Sequence, residues 1–498
     1  DAYTDLTAAL RSEHPFSEVW VASGTYKPGI IRPAAFLLPP GVSVYGGFVG
    51  TESSLDERNV TTNVTILSGD LGAAGVIADN AYHVVIPASG STLDGFTIKN
   101  GNASENFSDD RGRGGALWAE RIAFSVRNCM FSTNYANQKG GAVFLNDVNA
   151  TFTSCTFTAN TTGSTGSGGA LDANNSRLTF ASCTFASNVS QFEGGAINSQ
   201  NSTLIFSNSA FTSNQNASAN GGGALNISGG SLSDVNGTYS NNSCAPGSGG
   251  GAIQWEGIDA NFTGTTFNAN QSASYRGGAI IATTGTLRFS KCTFSGNTSG
   301  ARGGALRGKS VILSFSNSSF TGNESAISGG ALSVENAILI LTSNTFNSNK
   351  SEYHGGALDA KDSNSTTTNC HFTSNLTGNN GKGGAVAVEN GFWNDSSSFF
   401  SSNVSVWQGG AVSWKNAAGS VVGSTFTANS NTTHNGGGAL HLEGTMPTIS
   451  NCFFLGNEAE SGGALMLANN ASSVTLVNCV FSGNKAVNHG GVLKGDGS

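Results

Sequence analysis

The sequence predicts an all-β, right-handed parallel β-helix, and three observations carry the prediction. An aromatic residue, two free positions and an asparagine recur fourteen times between Phe131 and Asn484. A glycine pair precedes each aromatic, and its first glycine lies 17 residues upstream in thirteen of the fourteen units, from Gly114 with Phe131 to Gly437 with Phe454. The steps from Gly114 to Gly490 average about 27 residues, the size of one supersecondary unit that buries its apolar side only by stacking on its own copies.

Each part of the unit has a physical reading. The residue three after the first glycine is Leu, Ile or Val throughout (Leu117, Val143, Leu171, Ile197), the next is mixed (Trp118, Asp172, Asn198, Arg307, His441), and the following one is mostly apolar (Leu145, Trp255, Val334). That alternation is a half-buried strand. Three short strands per turn are expected. Paired glycines fit a tight bend where a side chain would strike the coil above. The aromatics from Phe131 to Phe481 form a buried column, and the Asn of each Phe-x-x-Asn is expected in a left-handed turn, bonded in an internal ladder. Length varies in the stretch from each Asn to the next glycine pair, which reads as an exposed loop.

The sixth position after the first glycine reads Lys309, Glu335, Lys361, Glu389, Lys415, Glu443. Stacked in register at about 4.8 Å, these form an outer ladder of alternating sign, which repulsion between like charges favours. Seven of the eight cysteines (Cys129, Cys155, Cys183, Cys292, Cys370, Cys452, Cys479) lie two residues before the aromatic and read as small, inward, mostly reduced residues, with Cys244 off register.

Residues 111–498 are the repetitive helix. Residues 1–110 lack the motif and read as a cap with first irregular coils continuous with the rest: a short helix within 3–11, then strands near 19–21, 36–38, 42–45, 64–67, 84–86 and 96–98. A helix ending in mid-repeat exposes an apolar cross-section, so the chain is expected either to be part of a longer protein or to associate end to end into filaments.

Gly-Gly-Ala-Ile at 194–197 and 277–280, together with the Phe-x-x-Asn series, resembles the repeats of the chlamydial polymorphic outer-membrane proteins and related pectin-lyase-like β-helix proteins. The resemblance spans residues 114–492. It implies a surface-exposed, adhesin-like role with a host or cell-surface ligand, and for the first 110 residues it implies a helix-capped start of the coil.

Composition narrows the function. The 23 Lys and Arg against 31 Asp and Glu give a net charge of -8 without basic runs, which argues against nucleic acid. No apolar run is long enough for a transmembrane helix. The first residue, Asp1, suggests a mature or trimmed form. Asn-x-Ser/Thr triplets exceed chance, pointing to N-linked glycans and an extracellular or cell-surface location. Eight use the ladder Asn (Asn160, Asn188, Asn270, Asn297, Asn323, Asn349, Asn375, Asn403) and are assigned to the ladder instead. The expected glycan sites are Asn102, Asn106, Asn174, Asn216, Asn226 and Asn431, in variable loops or at outward strand positions. No cofactor or metal motif occurs. Polysaccharide cleavage is the alternative function, with Asp109 and Asp110 before Arg111 and Arg113, and Asp359, Lys361 and Asp362 near one bend, as the carboxylate-plus-cation clusters. Surface ladders and solvated loops explain both, so no catalytic residue is assigned. The leading reading is a non-catalytic, extracellular, glycosylated β-helix that is adhesive or a fibre subunit.

Overall fold

The computed structural model describes all residues except 1–2, 13–15, 107–109, 219–220, 248, 274–275, 434–435, 469–473 and 496–498. The chain is an all-β parallel solenoid of about 17 turns, about 27 residues each, with one short N-terminal helix. Its contacts divide it into two compact units, Asp1–Gly247 with Ala252–Gly257, and Ser248–Gly251 with Ile258–Ser498.

One turn of the second unit shows how the repeat folds. Leu332–Glu335 and Ile338–Thr342 lie in one sheet, Thr345–Asn347 in a second and Lys350–Ser351 in a third. There are four strands per turn, not the three expected. A single residue in the left-handed region separates each from the next: Asn336 (φ 52°), Ser343 (φ 55°) and Ser348 (φ 54°), with Gly329 and Gly355 at the closing corner. Two of these corners are invariant in conformation. The residues three before and two after the aromatic have positive φ in all fourteen units, as at Asn128 and Thr133, or Asn317 and Gly322. The left-handed residue therefore precedes the ladder Asn, correcting the sequence-based expectation by one position.

The aromatic column is buried from Phe131 to Phe454, and Phe481 is half-buried. Phe131, Phe157, Phe185, Phe211 and Tyr239 stack in the first unit, and Phe267 through Phe481 in the second. Phe294, Phe320 and Phe346 are typical, with centroids 4.7 and 4.6 Å apart and ring planes within 5°. Phe320→Ala is expected to cost about 3–5 kcal/mol, because rings on both sides hold the cavity open; urea denaturation checks it.

The ladder asparagines bond from turn to turn, between Asn134 and Asn242 in the first unit and between Asn270 and Asn484 in the second. Asn349 Nδ2 donates to Phe320 O (2.9 Å) and to Asn375 Oδ1 (3.0 Å), so both amide hydrogens are used. The charged ladder is also in register, from Lys309 beside Glu335 to Lys415 beside Glu443. Seven of the eight cysteines are buried and Cys479 is half-buried. Burial pushes the Cys129 thiol up to about 12 and those of Cys370 and Cys452 to about 11, which keeps them inert at neutral pH.

At the N-terminal end, Asp5 caps the helix Leu6–Leu10, accepting from Thr7 N at 2.9 Å, and Leu6, Ala9 and Leu10 are buried. The strands that follow, Glu18–Ala22, Ser43–Phe48 and Thr92–Asp94, pair in parallel like the later turns.

Candidate functional site

Strand alternation should point the fourth position after the first glycine of each pair into solvent. Instead this column is largely buried: Phe144, Asp172, Asn198 and Asn226 in the first unit, and Ile281, Ser333, Asp359, Ser413 and His441 in the second. Residues just before the glycine pairs provide the cover. Arg302, Ser328, His354, Lys382 and Gln408 form a file of parallel bridges alongside the column. The variable loop is thus a roof over the outer face of the first sheet, which period-two reasoning did not reveal.

Beneath the roof of the second unit lies a cluster of charged groups. Ser333 Oγ donates to Asp359 Oδ2 at 3.3 Å, and Arg307 pairs with Glu335 at 3.0 Å. Desolvation raises the Asp359 carboxyl to about 6, and Glu389 adds to this; Arg302, Ser333 and Arg307 act in the opposite sense. Burial lowers the Arg307 pKa and the neighbouring Arg302 and Arg276 reinforce the effect. Burial and Lys382 together keep His354 below its usual range, so it is neutral at pH 7. Two aromatics stand at the rim, Tyr353 (42% exposed) and Trp407 (39%), with Lys382 Nζ 5.4 Å from the Trp407 ring centre.

The first unit repeats the theme with amides. Asp172 is fully buried and accepts from Asn198 Nδ2 at 2.7 Å and Asn174 Nδ2 at 3.0 Å, with Lys139 Nζ at 3.6 Å. Its carboxyl is nevertheless raised, because desolvation outweighs the Lys139 attraction. Burial and the Asp172 charge also raise Glu193.

The elevated Asp359 has a stability consequence. A carboxyl with a folded value of about 6 against the ordinary 3.8 favours folding most below the lower value, and that advantage is lost as pH rises through the higher one. Wild type is expected to lose about 3 kcal/mol between roughly pH 4 and pH 7, and Asp359→Asn to flatten that part of the profile, as read by denaturant titration at several pH values.

The other sequence-predicted residues are dispersed. Asp362 does not join Asp359; it forms a left-handed corner (φ 49°) and accepts from Asn390 Nδ2 at 2.8 Å. Lys361 belongs to the outer ladder. Asp110 approaches His83 at 3.9 Å, Arg111 lies over Tyr82 and Arg113 over Phe144, while Asp109 lies outside the described residues. No cluster of His, Cys, Asp and Glu suited to a metal occurs among the described residues.

The ladder asparagines are buried with both amide hydrogens engaged, so the eight acceptor triplets there are closed to sugars in the folded chain. Of the six expected glycan sites, Asn106 is exposed and Asn174 half-buried. Asn102, Asn216, Asn226 and Asn431 are buried, their Nδ2 atoms donating to Ile77 O, Phe192 O, Asn198 Oδ1 and Ser405 Oγ. Their expected accessible placement is therefore corrected: the roof and the neighbouring turn cover them. Asp395 escaped the sequence reading entirely. It faces inward in place of an apolar residue and accepts from Ser424 Oγ at 2.6 Å and from Thr367 Oγ1.

Residues 2–244 match a family described as a protein of unknown function, DUF1565, and residues 291–309 match the Chlamydia polymorphic membrane protein repeat. The chain resembles that repeat and the right-handed β-helix proteins. No curated protein matches it. Among solved structures, tailspike protein 3 of bacteriophage CBA120 aligns with a TM-score of 0.26 at 12% identity, over 96% of this chain and 59% of the tailspike chain. The chain thus spans less than two thirds of that protein.

Proposed function

We propose that this protein is an extracellular or cell-surface adhesive β-helix, N-glycosylated at Asn106 and Asn174, that binds its ligand at the roofed face of the second unit. The observation that supports this reading is the pair of exposed aromatics there, Tyr353 and Trp407, beside Lys382 and His354. Exposed aromatics next to a cation, here Lys382, on a rigid support are the chemistry of a binding surface. In an assay of protein-coated beads on cultured cells, Trp407→Ala with Tyr353→Ala is expected to abolish adhesion while the fold survives. Undiminished adhesion would overturn the site. Intact mass before and after deglycosylation tests the glycans, and an unmodified secreted protein would remove them from the account.

The second reading is a polysaccharide-cleaving enzyme, favoured by Asp359, whose carboxyl at about 6 lies in the range of a general acid and has Arg302 and Glu389 nearby. New reducing or unsaturated ends after incubation with pectin or alginate, lost in Asp359→Asn, would establish this reading over the first.

A further inference from the structure

The second sheet presents a different surface, one that neither the adhesive reading nor the carboxylate cluster uses. On each of its three-residue strands the central aromatic points inward and its two neighbours point outward. In the first unit, Thr156 and Thr158, Thr184, Thr212, and Thr238 and Ser240 occupy outward positions on successive turns, with Ala186 and Ala210 completing the ranks. In the second unit, Thr266, Thr293 and Ser295, Ser319 and Thr321, and Thr345 do the same, with Asn268 and Asn347 completing them. Twelve of these sixteen positions carry a hydroxyl and none carries a charge, in a chain where 11% of residues are charged. Charge is held instead on the first sheet's ladder and on the third sheet, as at Glu324 and Lys350.

The geometry of the face is as uniform as its chemistry. Parallel sheets ordinarily twist by about 20° per strand, yet the rings beneath these ranks are nearly coplanar in orientation. Phe157, Phe185, Phe211 and Tyr239 are separated by 4.6, 4.7 and 4.8 Å with interplanar angles of 2° and 3°. Phe267, Phe294, Phe320 and Phe346 are 4.8, 4.7 and 4.6 Å apart with angles of 8°, 5° and 3°. The hydroxyls above inherit this spacing in one direction and about 6.6 Å, two residues of extended chain, in the other. Neighbouring turns already bring them within reach of each other, as with Thr212 and Ser240 at 3.3 Å.

We propose that in each unit this face docks onto ice. A flat, uncharged array of hydroxyls and methyls, repeating at fixed intervals in two directions, complements a ligand that is itself a planar lattice of neutral hydrogen-bonding groups. A folded protein partner offers no such repeat. A soluble saccharide chain would call for aromatic platforms or charged donors, and these sixteen positions hold neither. Beyond them the face changes character, at Met130 and Lys99 next to the first unit's array and at His371 and Phe399 next to the second's.

The test is partition of the full chain into polycrystalline ice grown slowly from dilute buffer, with microcrystalline cellulose as a second solid. Wild type is expected to be enriched in the ice. A variant carrying Thr184→Lys, Thr212→Lys, Thr293→Lys and Thr321→Lys is expected to lose the enrichment with an unchanged circular dichroism spectrum. The same number of charges placed on the third sheet, by Gln215→Lys, Ser243→Lys, Gln271→Lys and Thr298→Lys, is expected to leave it intact. Exclusion of wild type from ice, equal uptake of the first variant, or retention on cellulose without uptake into ice would each overturn the proposal. Because none of these residues lies under the roof, failure here leaves the adhesive reading standing, and the converse holds.

Discussion

Asn349→Ala is expected to destabilise the second unit by about 3–5 kcal/mol, the sum of two or three buried polar groups left without partners. Asn349 Oδ1 accepts from Asn323 N and Nδ2, both at 3.0 Å, and Asn349 Nδ2 donates to Phe320 O at 2.9 Å. Removing the side chain leaves the Asn323 N–H and the Phe320 carbonyl without these partners in a region closed to water. Asn349→Asp is expected to be no better. Its second oxygen would face Phe320 O, where a donor now sits, and its charge would be buried. Since each turn of a solenoid contacts chiefly its neighbours, the loss is expected to appear first as local opening around 323–375. Hydrogen exchange resolved along the chain is the measurement, and protection unchanged across those turns would refute the ladder's role.

Gly330→Ala is expected to be comparably severe for a different reason, at about 3 kcal/mol or more. A Cβ there would press on Gly356 O from the next turn and lie 2.5 Å from Lys350 N and 2.6 Å from Lys350 O. All three are backbone atoms. Gly330 N itself bonds to Gly355 O at 3.1 Å, so the turn cannot move away without breaking the parallel ladder. Gly322→Ala provides the contrast: it has a positive φ (61°), which Gly330 lacks, but open space around it, so only backbone strain of about 1 kcal/mol is expected. Thermal melts of the two variants side by side check the difference.

The features legible in the sequence are those that repeat by residue type. Phe320, Asn323 and Gly330 belong to columns in which nearly every turn spends the same residue on the same contact, so the period, the buried aromatics, the Asn ladder and the Lys309 to Glu443 series could be read directly. The fourth strand could not. Its corner is made by Arg121, Asp147, Ser310, Asn336 or Asp362 as readily as by glycine, so conformation there leaves no fixed residue type behind. The left-handed turn was assigned to Asn because Asn tolerates that region, whereas the structure uses the preceding residue for the bend and the Asn amide for the ladder.

The candidate site was the least legible part. Asp359, Asp172 and His441 sit at a strand position that alternation places in solvent, and only the return path of a loop of variable length and composition buries them. That same cover closes Asn226, while Asn216 and Asn431 take the inward positions of two-residue strands in the third sheet; sequence alone put all three on the surface. Asp395 shows the converse: an acid amid apolar positions carried no motif, and its hydroxyl partners Thr367 and Ser424 lie one turn to either side.

The central claim is that equivalent side chains of successive turns lie directly over one another. Zero-length carbodiimide coupling followed by mass spectrometry tests it most directly. Lys309 and Glu335 are 3.8 Å apart, Lys415 and Glu443 3.3 Å, and Lys350 and Glu324 2.8 Å. The account predicts amide cross-links within these three pairs and none between Lys309 and Glu443. Missing links within the pairs, or coupling between residues several turns apart in one monomer, would contradict it.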